Sequence, residues 1–145
     1  MDVLVAVALV TGCGAIAEDI WRGRISNWTS GGAVLSGVCC HSAQLGLAGL
    51  GGSLLGALTG FGLFFVFYLA GGMGGGDVKL MAGFGSILGS SAVSKAAFLA
   101  AVLGAILAAV VWMVRTGFGR RPLRVLTIPY APAISIGAWL ALLTA

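Results

Sequence analysis

An all-α polytopic membrane helix bundle is the fold class this sequence predicts, and three observations predict it. Of 145 residues, 59% are hydrophobic and only 8% are charged, against about 25% charged in soluble domains. The mean hydropathy is +1.09. Apolar runs approach the roughly 20 residues needed to cross about 30 Å of hydrocarbon, with tilt or thinning covering the shorter ones. No polar stretch is long enough for a separate soluble unit, so residues 1–145 are expected to form a single integral-membrane domain.

Six helices are expected. The first, Val3 to Ala17, is short but uninterrupted, and lacks the basic start and small-residue cleavage site of a signal peptide, so it reads as a retained helix. The second is Gly31 to Leu50, and the third, Ser53 to Ala70, holds the apolar run LLGALTGFGLFFVFYLA. Leu80 to Val93 is a short fourth, Ala96 to Val114 a fifth, and Ile128 to Leu143 a sixth whose start carries two prolines. Loops are expected near Ser42 to Gln44 and Ser90 to Ser94. Glycines at helical spacing, such as Gly52, Gly56 and Gly60, suit close backbone packing in lipid.

Charge placement orients the bundle. Arg22 and Arg24 follow the first run, Lys79 the third, and Arg115, Arg120, Arg121 and Arg124 the fifth, leaving only Lys95 elsewhere. With alternating helices, these basic residues share one face, which the positive-inside rule makes cytoplasmic and which places both termini outside. Juxtamembrane arginines suit anionic lipid head groups rather than nucleic acid, since no basic face is interleaved with stacking aromatics. Cys13, Cys39 and Cys40 match no zinc spacing and read as small hydrophobes, while His41 stands alone and reads as interfacial or structural. No metal or cofactor is expected.

Four acids remain: Asp2, Glu18, Asp19 and Asp77. An ionisable group beside hydrocarbon is costly, so it marks a candidate functional position. Asp2 is terminal. The topology brings the end of the first helix and the residue after the third, and with them Asp19 and Asp77, to the same membrane face. Two carboxylates held close do not both ionise easily, and a pair sharing one proton can hydrolyse a peptide bond. The ionised member takes a proton from water, and the protonated one hydrogen-bonds the scissile carbonyl. Gly74, Gly75 and Gly76, in the stretch GGMGGGDVKL (71–80), are expected to let the backbone bend sharply ahead of Asp77 and a substrate chain approach. A phosphate-binding glycine loop is disfavoured, because an aspartate ends the run and no GK[ST] follows.

At these residues the sequence resembles the type IV prepilin peptidase family, membrane aspartic proteases with a GxGD motif. Gly74, Gly76 and Asp77 match that motif, and Val78, Lys79 and Leu80 continue it. Asp19 to Asn27 (DIWRGRISN) resembles the segment around the family's first aspartate, with Ser26 where proline is usual, a departure expected to loosen the turn. Ile128 to Gly137 (IPYAPAISIG) resembles the entry to the last helix. Paired CxxC motifs of the methyltransferase region are absent, so the short peptidase-only branch of tight-adherence (Flp-type) pilus systems is the nearer likeness. The resemblance implies catalysis by Asp19 and Asp77 on the cytoplasmic side of a bacterial inner membrane. It implies prepilin or pseudopilin substrates whose short basic leader is removed ahead of a hydrophobic helix.

Adjacent helical residues point about 100° apart, so Glu18 and Asp19 are not both expected to face Asp77, and Glu18 is assigned to the leader's positive charge. Lys79 has two readings, an interfacial cation or a charge that favours the ionised form of the neighbouring acid. Asn27 is placed with the motif residues. The competing class is a non-catalytic transporter or scaffold subunit of a secretion or pilus system. Transport favours acids near the bilayer midplane with broken helices around them, whereas these acids fall at helix ends.

Overall fold

The computed structural model describes residues 2–117 and 129–144. It is all-helical over those residues, with four helices: α1 (Asp2–Arg22), α2 (Asn27–Leu69), α3 (Gly75–Gly117) and α4 (Ala131–Leu143). Three of them, α1, α2 and α3, are long and apolar enough to cross a membrane. The expected count of six therefore becomes four. Where loops were expected at Ser42 to Gln44 and Ser90 to Ser94, the helical hydrogen bonding runs on, because short polar residues do not by themselves break a helix.

What interrupts α2 and α3 is one residue in each. Gly46 has φ 58° and ψ −135°, and Gly89 has φ 75° and ψ 176°, backbone states open essentially to glycine alone. At each the chain folds back. Positions eight apart in a straight helix are separated by about 12 Å, yet a Cβ on Gly49 would collide with the His41 carbonyl. Likewise, a Cβ on Gly85 would lie 3.1 Å from Val93. His41 sits between the two bends, its Nε2 2.9 Å from the Ile87 carbonyl and its ring against Gly89. That is the structural role expected of it.

Packing follows from glycine and serine. A Cβ on Gly56 would strike the carbonyl of Gly85, so α2 and α3 cross backbone to backbone there. Beside this crossing the buried Ser53 hydroxyl donates to the Ser86 carbonyl at 2.9 Å, and Ser86 Oγ donates to the Val34 carbonyl at 2.9 Å. Gly137 of α4 seats on Ala100 of α3, and Trp139 fills the space over Gly12 while its Nε1 donates to the Ala8 carbonyl at 2.9 Å. Gly56→Ala is accordingly expected to cost about 1–3 kcal/mol through overpacking. Gly62→Ala, with nothing within 4 Å of the new methyl, should leave unfolding in detergent micelles unchanged. Equal melting temperatures for the two variants would contradict this packing.

These contacts run in a consistent sense. α1 lies antiparallel to α4, from Ala8 on Trp139 to Asp19 on Ala131, and α3 beyond Gly89 lies antiparallel to α4, from Ala100 on Gly137 to Gly104 on Tyr130. The end of α1 and the starts of α3 and α4 therefore meet at one end of the bundle.

Candidate active site

That end carries both candidate aspartates. Asp19, in the last turn of α1, and Asp77, in the first turn of α3, are each only 8% exposed in a chain with almost no charge. Their carboxylates are close enough for the charge of one to act on the other. Burying two acids side by side has no stabilising purpose of its own, which makes the pair the candidate functional site.

Each aspartate is oriented by one backbone N–H. Gly74 N–H donates to Asp77 Oδ2 at 3.2 Å, and Asp77 N–H donates back to the Gly74 carbonyl at 3.1 Å. The side chain at the third helical position thus closes the residue just before the helix, in the manner of a capping box. Ala131 N–H, at the start of α4, donates to Asp19 Oδ2 at 3.1 Å across 112 positions of sequence. An orphan donor at a helix start attracts a carboxylate, and Pro132, which has no N–H to offer, leaves Ala131 as the donor nearest the tip. The stretch Ile128 to Gly137 stood out in the sequence, but its contact with Asp19 did not. Pro132 just inside a helix start was the available signal.

Three expectations change here. First, Gly74, Gly75 and Gly76 are not sharply bent: among the described glycines the positive φ angles belong to Gly23, Gly46, Gly71 and Gly89. Gly75 and Gly76 are in the helix, and their missing side chains leave open a cleft of about 390 Å³ lined by Phe61, Phe65, Tyr68 and Lys79 as well. Second, Ser26 does not loosen its turn. It is the N-cap of α2, its Oγ accepting from Thr29 N–H at 3.2 Å, and it donates to Glu18 through both N–H (2.9 Å) and Oγ (3.0 Å). Third, the Glu18 carboxylate is occupied at this turn, with Thr29 Oγ1 as its third donor at 2.8 Å. Ser26 and Thr29 were missed as site neighbours, although a serine ahead of a helix is a recognisable cap signal.

The remaining expected residues fall around the pair. Lys79 Nζ donates to Asn27 Oδ1 at 2.9 Å on the surface, joining the two motif residues to each other. Gly76 packs on Ile25. A second cleft of about 190 Å³ is lined by Phe64, Gly72, Met73 and Tyr130, so it borders the strand of chain that feeds Asp77 and the turn that holds Asp19. The arginines from 115 to 124 lie outside the described side chains, and no group of metal-binding side chains occurs among the described residues.

Compared with known proteins, the sequence matches the type IV leader peptidase family over residues 4–109, well over half of the chain. The chain belongs to that family. Both aspartates of this family member lie within the matched span, whereas the α4 turn that binds Asp19 lies beyond it. No curated protein and no solved structure matches the chain.

Proposed function

We propose that this leader peptidase is a membrane aspartic endopeptidase that removes the short basic leader of type IV prepilins or pseudopilins. Asp19 and Asp77 act as its general acid–base pair. The observation that carries the proposal is the meeting of two buried carboxylates from distant parts of the sequence, each oriented by a backbone N–H. The ionised carboxylate removes a proton from water as the water oxygen bonds to the scissile carbonyl carbon, and the protonated one delivers its proton to the carbonyl oxygen. The resulting tetrahedral diol collapses with the C–N bond breaking and a proton passing to the leaving amine. Neither step needs a nucleophilic side chain, and the pair titrates as a unit.

The same reading places the site at the cytoplasmic face of a bacterial inner membrane. At about 1.5 Å per residue a straight 43-residue helix would be about 65 Å long, twice the hydrocarbon thickness. Folding back at Gly46 and Gly89 lets α2 and α3 each cross twice, for six crossings with α1 and α4. Arg22, Arg24 and Lys79 then share the end that holds the aspartates, which the positive-inside rule makes cytoplasmic, with both termini outside and basic side chains available to anionic lipid.

Co-expression with small proteins that carry a basic leader, a glycine and then a hydrophobic helix tests this directly. One such protein is expected to lose its leader, seen as a mass decrease at the residue after the glycine. Failure to process any of them while the chain is inserted would refute it.

A further inference from the structure

We propose that Glu18 is the positioning residue of this site: it clamps the turn between α1 and α2, and that turn sets Asp19 against Asp77. The inference rests on reading the two aspartates as a catalytic pair.

Glu18 Oε2 accepts from Ser26 N–H at 2.9 Å and Thr29 Oγ1 at 2.8 Å, and Oε1 accepts from Ser26 Oγ at 3.0 Å. Ser26 Oγ and Thr29 Oγ1 are themselves 3.0 Å apart. Each hydroxyl has one proton, and both point to the carboxylate, so the two oxygens are held together by Glu18 rather than by each other. Arg22, one helical turn on, adds its attraction to the same carboxylate. Both oxygens of Glu18 are thus engaged within the protein, leaving it poorly placed to be the counter-ion for a leader.

The clamped turn adjoins Asp19 along α1 and touches the neighbours of Asp77. Asp19 is the next residue along α1, rotated by about 100°, so fixing Glu18 toward α2 directs Asp19 toward Ala131 of α4. On the other side, Ile25 packs on Gly76 immediately before Asp77, and Asn27 accepts from Lys79 just after it. One carboxylate therefore gauges α1 against α3 through a turn of a few residues. A displacement of about 1 Å in such an arrangement costs on the order of 100-fold in rate.

The test uses the full chain in liposomes with a processed prepilin. Glu18→Gln, which cannot accept all three donors, and Ser26→Ala, which loses the hydroxyl, should each lower kcat by about 10- to 100-fold. KM should stay within about twofold and not respond to salt or to the number of basic residues in the leader. Combining the two should cost no more than the worse one, and Ser26→Thr, which keeps both donors, should restore the rate. Thr29→Ala, removing a single donor, gives a milder fall in kcat should the stronger variants not fold. A rise in KM that scales with leader charge would make Glu18 a leader contact and overturn the proposal, as would unchanged kcat in Glu18→Gln and Ser26→Ala. Spin labels at Arg24 and Gly72, with Cys13, Cys39 and Cys40 replaced by alanine, give a readout independent of cleavage. The distance distribution should broaden in Glu18→Gln even if no prepilin is found, and an unchanged distribution would overturn the clamp without touching the proposed activity.

Discussion

Asp77→Asn and Asp19→Asn are each expected to lower leader removal by at least about 10²- to 10⁴-fold, the range lost with a general acid or base, while the protein stays folded. Asparagine keeps the shape of the side chain, and its carbonyl oxygen can still accept from Gly74 N–H at position 77 or from Ala131 N–H at position 19. It can neither take a proton from water nor deliver one to a carbonyl oxygen. Each single change also removes one of two buried carboxyl groups that disfavour each other's ionisation, so thermal stability should hold or rise, as is common where catalytic groups are placed at the expense of stability. Cleavage of a co-expressed prepilin, followed by mass, and melting in detergent are the two measurements. Processing retained by either variant at the wild-type rate would end the two-aspartate mechanism, and joint loss of folding and cleavage would return Asp19 and Asp77 to structural roles. The wild-type profile of kcat/KM against pH should be a bell whose limbs belong to the pair.

Charge was what made this site legible. With four acidic residues in 145, each acid in a membrane chain is conspicuous, and the grouping of basic residues was enough to bring two of them to one face. The rotation between adjacent helical positions correctly separated Glu18 from Asp19, which here face α2 and α4. The partners of both could not be read, because a hydrogen bond from Ala131 to Asp19 depends on the packing of the first helix on the last. Nothing local to either segment encodes it.

Glycine was the opposite case. There are 25 of them, and composition cannot tell which one bends the chain, which one makes room and which one is idle. Gly74 to Gly76 looked like the bend, and instead Gly75 and Gly76 line a cleft beside the start of α3. Ser42 to Gln44 and Ser90 to Ser94 looked like loops, while the turns occur at Gly46 and Gly89. Hydropathy locates a break to within a few residues, but the residue that takes it is chosen by backbone angles.

Gly46→Ala and Gly89→Ala are therefore expected to damage the fold, though neither new methyl has anything to strike. Nothing lies within 4 Å of a Cβ at position 46, and at 89 the nearest atom is a His41 ring carbon at an ordinary 3.6 Å. The penalty is in the dihedral angles, at about 1–3 kcal/mol for each site. It cannot be relieved by shifting the backbone at 89, because Gly56 is already against that residue, and at 46 the His41 bond to the Ile87 carbonyl is made beside the bend. Against a typical stability of about 5–15 kcal/mol, the double variant should lose a large share of its stability margin and melt well below the wild type. Mirror-image alanine separates the two causes. A D-residue is at ease where φ is positive, since the angles at 46 and 89 are reflections of ordinary extended ones. Semisynthetic D-Ala at either site should thus melt with the wild type, while L-Ala melts lower. If both enantiomers were equally destabilising, crowding rather than backbone geometry would govern the bends. If neither were, α2 and α3 would not need to fold back at these residues, and the proposed six-crossing arrangement with Asp19 and Asp77 on one face would lose its physical basis.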